Sequence, residues 1–354
     1  MFYPERSNFY CSSIFIKVIM FFLFTSCESN MNVDIPGQAP KLTVNCILKT
    51  DEAVTMQIIE SQFYLESTDT SKFIRNAMVQ LFEDNILVDN LIYKEYKQFN
   101  QKYNEYKSLS GFIPRYDHTY QIKINALGFE EATSKTRIPH PIQIISIVTI
   151  PLQNENNIMT GLECSIRFKD TGGIKNYYRL VINRIGLVTK CIGFGVGCEN
   201  IRINYNVPFS WKNLNAIYFR HSQKIPGTIF FEKENDDKFS NDEIFLADDT
   251  FDGMTFEMKV WIPSPLIDWA FPPNPEIEYS DRKINFHLYS VNEDYFKYAK
   301  SYFFQVYKKT DLFSEPIQVF SNINHAFGIF SSASSSIDST ITLPVFYHNP
   351  PISK

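Results

Sequence analysis

Apolar and polar residues alternate with a period of two along most of the chain after residue 40. In the first such run Leu42, Val44, Cys46 and Leu48 fall on one side, with mostly polar residues between them. Successive side chains of a β-strand point to opposite faces, so this period predicts half-buried strands. The pattern recurs at 54–58, 77–81, 120–124, 162–168, 178–182, 255–262, 283–289 and 340–345. We therefore expect a mostly β protein built from two β-sandwich-like domains.

A pair of prolines marks the expected junction between those domains. Pro139 and Pro141 bracket a single residue, and proline both fixes the backbone and removes a hydrogen-bond donor. The pattern thus predicts a first β domain over residues 41–138 and a larger β-rich domain over residues 139–354.

One segment of the second domain has the pattern of a helix. Ser290 and Glu293 stand three residues apart, as in a capping box. The following apolar residues recur at spacings of three and four: Phe296, Ala299, Phe303 and Val306. We expect one helix near residues 293–307, docked on a sheet by this apolar face.

The N-terminus has the layout of a bacterial lipoprotein signal. An apolar run over residues 14–24 is preceded by Arg6 and ends in the small pair Thr25-Ser26, directly before Cys27. The run has about 11 residues and covers roughly 16 Å as a helix, too short for a hydrocarbon core about 30 Å thick. We predict a signal peptide over residues 1–26, lipidation at Cys27 and a tether over residues 27–40.

Composition and motifs argue against several classes of function. The chain has 34 basic and 39 acidic residues, a net charge of -5, and no basic stripe that would predict nucleic-acid binding. The histidines are scattered without a zinc-binding spacing, and no nucleophile-elbow motif occurs. We expect a protein that is not an enzyme and that needs no cofactor.

Two of the cysteines suggest an oxidising compartment. Cys191 and Cys198 enclose a glycine-containing loop, and a disulfide between them would stabilise the fold by about 2.5 kcal/mol. The alternative is a metal-binding or redox pair, although no histidine or third cysteine lies close in sequence. Cys46 and Cys164 fall on apolar faces of predicted strands, so we expect them to be buried free thiols.

The segment 246–253 has part of a calcium-loop pattern. Asp248, Asp252 and Gly253 fit positions one, five and six, but position twelve is Lys259 where the loop requires a bidentate glutamate. We therefore predict a hairpin turn here and no metal, with a metal site as the alternative.

A group of aromatic residues is a candidate interface. The group comprises Trp261, Trp269, Phe271 and Tyr279, with five prolines among them. Aromatic side chains supply large contact area at low entropic cost, so a loop of this composition is suited to stacking on a sugar or binding a partner protein. The alternative is that these residues cap the end of the sandwich.

Several short segments after Cys27 carry a resemblance to a known family. They are Lys41-Leu-Thr-Val44, Asn76-Ala-Met-Val-Gln-Leu81, Thr119-Tyr-Gln-Ile-Lys-Ile124 with Gly128-Phe129, Phe245-Leu-Ala-Asp-Asp-Thr-Phe-Asp-Gly253, and Pro316-Ile-Gln-Val-Phe-Ser-Asn-Ile323 with Phe327-Gly-Ile-Phe330. Together they resemble the Bacteroidota lipoproteins called domain of unknown function 4249. The chain departs from that pattern at Ala326, where the family leads us to expect glycine.

The resemblance implies a lipid-anchored protein of the outer membrane, exposed at the cell surface. It also implies an immunoglobulin-like or prealbumin-like first domain and a place beside a TonB-dependent receptor, as an accessory in ligand capture or uptake. The family brings no catalytic residues. The rival hypothesis is a surface adhesin or a structural module that binds glycans.

Overall fold

The computed structural model describes residues 39–62, 72–98, 101–153, 155, 159–191, 198–201, 207–208, 244–263, 277–308, 318–336 and 339–342. These residues form seventeen strands and one helix, α1 (Glu293–Lys308). The strands are β1 (Leu42–Lys49), β2 (Thr55–Glu60), β3 (Met78–Glu83), β4 (Ile86–Gln98), β5 (Gln101–Ser108), β6 (Thr119–Asn125), β7 (Ala132–Arg137), β8 (Ile144–Gln153), β9 (Met159–Lys169), β10 (Tyr177–Cys191), β11 (Cys198–Ile201), β12 (Val207–Pro208), β13 (Ile244–Ala247), β14 (Thr255–Pro263), β15 (Ile277–Val291), β16 (Phe327–Ser335) and β17 (Ser339–Thr342). Within this part of the chain, no helix combines the length and the apolar character that crossing a membrane requires.

The mostly β class and the sandwich-like architecture are confirmed. In β1 the four residues of the apolar alternation are all buried, while Asn45 between them is exposed. The turn between β3 and β4 is built by Asp84 and Asn85, which both have positive φ (48° and 69°). Positive φ at both central residues is what a tight two-residue hairpin turn needs.

Most strands belong to one large sheet. Its order is β11-β10-β15-β16-β1-β2-β5-β4-β3-β6-β7, with β12 and β13 pairing β10 and with β17 pairing β15. A separate sheet has the order β14-β9-β8. Strand β16 thus lies between β15 of the predicted second domain and β1 of the predicted first domain. The boundary at residue 138 stays a prediction, but the sheet runs continuously across it.

Apolar side chains collect into three cores. The first core lies within β1–β7 and includes Ile323 and Phe330 from the C-terminal segment. The second core is the interior of a sandwich, where β9 and β14 pack against one face of β10 and β15. The third core covers the other face of β10 and β15, where α1 docks through Tyr295, Phe296 and Ala299. The ribbon β10–β15 is therefore covered on both faces.

The helix is confirmed, but its predicted cap is wrong. Ser290 belongs to β15 and is buried in the strand. The cap is Asn292, whose side-chain oxygen accepts a hydrogen bond from the backbone N–H of Tyr295 at 3.1 Å. Asparagine suits this position because its short side chain reaches the free N–H groups of the first turn.

The pairing of β1 with β16 fixes the C-terminal segment to the first core. It is parallel and runs from Thr43 opposite Phe327 to Lys49 opposite Ala333. In this register Gly328 lies opposite Val44 with a φ of +100°, and a Cβ atom at Gly328 would lie 2.0 Å from the backbone oxygen of Val44. Only glycine therefore allows the two strands to approach this closely.

Polar side chains close the seam between β16 and β7. The Ser332 hydroxyl donates to the backbone oxygen of Arg137 at 2.9 Å, and it lies 3.1 Å from the Thr136 hydroxyl. The side chain of Asn322 binds both backbone groups of Phe330, at 2.8 and 3.0 Å. These buried groups are stable in the core because each has a partner.

Replacing Gly328 with alanine should destabilise the protein far more than replacing Gly111 with alanine, which serves as the matched control. Gly111 has a comparable φ of +76° but open space around its Cα. We expect Gly111→Ala to lower the free energy of unfolding by about 1–2 kcal/mol through backbone strain alone. Gly328→Ala should lower the free energy of unfolding by more than about 4 kcal/mol, because it also forces β16 away from β1. Equal losses for the two variants in urea unfolding would show that the close approach is not needed.

Candidate functional site

The aromatic residues predicted to form an interface do not all lie in one loop. Trp261 lies in β14 opposite Glu163 of β9, and Tyr279 lies in β15 opposite Val188 of β10. The backbone thus places these two residues in strands of different sheets. Trp269 and Phe271, like the lipidation residue Cys27, lie outside the described residues. The interface and the lipidation both stay predictions.

The backbone register is compatible with the predicted disulfide. Cys191 at the end of β10 pairs directly with Cys198 at the start of β11. Residues opposite each other in antiparallel strands have Cα atoms about 4.5–5.5 Å apart, within the range that a disulfide spans. The side chains of both residues lie outside the described part, so the disulfide stays a prediction.

The other two predicted thiols are confirmed as buried and free. Cys46 and Cys164 have exposed fractions of 2% and 0%. Burial raises the pKa of both thiols, that of Cys164 to about 12. Both residues are therefore neutral and unreactive near pH 7.

Two loops bring three carboxylates together at one end of the sandwich. Asp170 follows β9, while Asp248 and Asp252 lie in the loop between β13 and β14. Their closest oxygen atoms all lie within 4.8 Å of one another. We call these three residues the carboxylate cluster. The segment 246–253 does contain a turn, but the predicted hairpin is wrong, because β13 pairs with β10 whereas β14 pairs with β9.

Asp170 is the central residue of the cluster. It is 2% exposed and accepts hydrogen bonds from the Tyr178 hydroxyl and from the side-chain amide of Asn176, at 3.2 Å. Its other oxygen accepts from the backbone N–H of Gly253 at 2.7 Å. Burial and the bond to Asp170 both raise the pKa of Tyr178, so this phenol stays a donor.

The other two carboxylates also have protein donors. Asp248 accepts from the backbone N–H of Asn176 at 2.7 Å and pairs with the Lys175 ammonium at 3.0 Å. Asp252 accepts from the backbone N–H of Gly173 at 2.8 Å. The cluster therefore serves to tie the loop after β9 to the loop before β14. The sequence drew attention to Asp248 and Asp252 but not to Asp170, because the pairing of the two loops is a tertiary feature.

An open polar cleft lies beside the helix, on the outer face of β1 and β2. Its volume is about 350 Å³. The lining residues are Asn45, Ile47, Lys49, Glu52, Thr55, Met56, Gln57, Glu105, Arg179 and Tyr295. We call it the Arg179 cleft.

Arg179 contributes a guanidinium group to the cleft. Its guanidinium carbon lies 5.6–5.9 Å from the ring centres of Phe245, Tyr289 and Tyr295, which is cation–π distance. Lys49 pairs with Glu52 at 2.8 Å on the rim. The lining offers hydrogen-bond donors, hydrogen-bond acceptors and charges of both signs, which suit it to binding a polar ligand. Arg179 stands in an alternating strand, and nothing in the sequence distinguished it.

Comparison with known families gives a match that covers most of the chain. A family model described as "Domain of unknown function (DUF4249)" matches residues 28–338. The chain belongs to this family. The match includes the predicted first β domain, most of the predicted second domain, α1, the carboxylate cluster and the Arg179 cleft. No curated protein matches the chain.

Membership confirms the resemblance to domain of unknown function 4249, while the lipoprotein character stays a prediction. Two of the short segments that carried the resemblance now have a structural explanation. Phe327-Gly-Ile-Phe330 is the start of β16, where Gly328 approaches β1. Phe245–Gly253 contains two residues of the carboxylate cluster and the ring of Phe245 beside Arg179. These segments therefore match the points that hold the fold together.

We expect Asp170→Asn to destabilise the protein by about 2–3 kcal/mol, measured by thermal or urea unfolding. An asparagine at this position would direct its NH₂ group, a donor, toward one of the groups that donate to Asp170. The substitution also removes the negative charge that three hydrogen bonds stabilise. Asp249 supplies the control, since its side chain is 48% exposed and pairs with Lys175 at the surface. Asp249→Asn should cost less than about 1 kcal/mol.

The same unfolding measurement tests whether the carboxylate cluster binds a metal ion. We expect calcium to leave the unfolding midpoint of the unsubstituted protein unchanged, because protein donors already bind the oxygen atoms of the cluster. A rise in the midpoint that Asp170→Asn abolishes would show that the cluster binds the ion.

Proposed function

We propose that this protein is a non-enzymatic lipoprotein of the outer-membrane surface that assists a TonB-dependent receptor in capturing or taking up a ligand. In this proposal acyl chains on Cys27 hold the protein on the bilayer, and residues 28–40 link the anchor to the β-rich body. The partners are then the membrane lipid and the receptor, and the ligand is a small molecule or a glycan.

The observation that carries the proposal is the junction at Cys27. The apolar run and the pair Thr25-Ser26 end at this cysteine, and the family match begins at residue 28, directly after it. A family domain that starts where the predicted signal ends supports cleavage and lipidation at this point. Several acyl chains, at about 0.8 kcal/mol for each buried methylene, give firm attachment to a bilayer.

The Arg179 cleft supports the part of the proposal that concerns a ligand. It is open to solvent and is lined by amide, ammonium, guanidinium and carboxylate groups. Such a lining fixes the orientation of a polar molecule by hydrogen bonds. An open cleft also releases its ligand readily, as transfer to a transporter requires.

Co-purification from the native host tests the proposal. We expect the lipidated protein, extracted in mild detergent, to carry a TonB-dependent receptor that mass spectrometry identifies at comparable amount. Cys27→Ser is the matched control, since it leaves the β-rich body intact and removes the anchor, and it should reduce the recovered receptor strongly.

Two results would contradict the proposal. One is recovery of the lipidated protein with no receptor under these conditions. The other is an unprocessed N-terminus found by mass spectrometry on the native protein. Glycan binding that disappears with Trp261→Ala or Trp269→Ala, with no receptor attached, would instead support the adhesin alternative.

A further inference from the structure

The Arg179 cleft runs across the strands of the large sheet. Its lining side chains come from β5, β2, β1 and β10, and Tyr295 comes from α1. In the sheet order β16 and β15 lie between β1 and β10. Strands are about 4.8 Å apart, so Glu105 on β5 and Arg179 on β10 start about 24 Å apart along the sheet. A cleft of this shape fits a chain-like ligand that lies across the strands.

A row of polar side chains stands on the part of the cleft formed by β1, β2 and β5. Asn45 of β1 lies directly opposite Gln57 of β2. Met56 lies opposite Tyr106 of β5, so one step further along this antiparallel register Gln57 has Glu105 beside it. Asn45 and Gln57 are exposed and Glu105 is half-buried. The row therefore offers amide donors, amide acceptors and carboxylate acceptors at neighbouring positions.

The carboxylates of the cleft already have partners within the protein. Glu52 pairs with the Lys49 ammonium at 2.8 Å. Glu105 pairs with the Lys107 ammonium at 3.1 Å and accepts a hydrogen bond from the Tyr96 hydroxyl at 2.5 Å. Both carboxylates are therefore neutralised before any ligand enters.

The cations of the lining are also accounted for. Two cations, Lys49 and Arg179, face two carboxylates, Glu52 and Glu105, and the guanidinium of Arg179 lies among three aromatic rings. Lys94, exposed on β4, lies directly opposite Glu105 and adds a further cation beside that carboxylate. A charged ligand would have to displace one of these partners, which costs free energy where a pair is partly shielded from water. An uncharged ligand leaves every pair intact.

The paired groups keep hydrogen-bonding capacity for such a ligand. A carboxylate oxygen accepts more than one hydrogen bond and an ammonium group has several N–H donors, so one ion pair does not use them all. A hydroxyl group both donates and accepts. A ligand with hydroxyl groups along its length can therefore bind amide, carboxylate and ammonium groups in turn, and a chain of sugars presents hydroxyls on each successive ring.

We propose that the Arg179 cleft binds an uncharged oligosaccharide lying across β5, β2 and β1. This inference deepens the proposed function and rests on its use of the cleft as the ligand site. Asn45 and Gln57 bind hydroxyl groups of neighbouring sugar units, and Glu105 accepts from a hydroxyl at one end of the row. The cleft volume of about 350 Å³ is at the lower end for ligand sites, which suits a short segment of a sugar chain.

Isothermal titration calorimetry tests the inference without acylation. The mature chain with Cys27→Ser is titrated with uncharged hexasaccharides of glucose, mannose and xylose, and with charged hexamers of galacturonate and of glucosamine. We expect at least one uncharged hexasaccharide to bind, with a Kd that changes less than about twofold between low and high salt, because salt screens only charges. Both charged hexamers should bind at least about tenfold more weakly.

Substitutions in the polar row locate the binding. Asn45→Ala and Gln57→Ala should each raise the Kd about fivefold, because each removes a side chain that binds a hydroxyl group. Gln121→Ala is the matched control, since this glutamine lies on β6, four strands from β2 in the sheet order, and it should bind as the parent does. All three variants should keep the unfolding midpoint of the parent.

Four results would overturn the inference. They are no binding of any uncharged hexasaccharide, tighter binding of a charged hexamer, unchanged binding in Asn45→Ala and Gln57→Ala, and equal weakening in Gln121→Ala. Binding that is lost with Trp261→Ala but kept with Gln57→Ala belongs to the third of these. Since the assay uses neither a receptor nor acyl chains, its failure is distinct from failure of receptor co-purification.

Discussion

The parallel pairing of β1 with β16 is the contact on which the rest of the fold depends. It joins residues from the two ends of the described chain, since Thr43 lies opposite Phe327. On one side β16 completes the first core, and on the other it pairs with β15 and so continues the sheet into the sandwich and the helix layer. Closing so long a loop costs conformational entropy, which the contacts on both sides of β16 must together offset.

Local sequence patterns predicted the elements well and their partners poorly. The period of two found the strands, and the spacing of three and four found α1. In each case the residues that form the sequence pattern are the residues that form the element. The pattern could not show that the strands flanking 249–253 belong to different sheets, because strand pairing is decided by contacts between distant segments.

The candidate sites show the same limit. In β16 the buried Ser332 interrupts the apolar pattern, because its partners across the seam, the Thr136 hydroxyl and the Arg137 backbone oxygen, are polar. Asp170 gave no local signal, since the cluster exists only once the loop after β9 meets the loop before β14. Arg179 gave no local signal either, because a single basic residue in a strand is common. By contrast, lipidation at Cys27 could be predicted because a lipoprotein signal is local in the sequence, and it stays a prediction.

The central claim is that the chain from β1 to β16 unfolds as one unit, held by this pairing. Pulsed hydrogen exchange of the intact protein, with peptides analysed by mass spectrometry under conditions where reclosing is slow, tests it most directly. The account predicts that peptides from β1, β16 and β10 become deuterated at one rate and in the same molecules. Exchange of β1 at its own faster rate, while β10 and β15 stay protected, would contradict it.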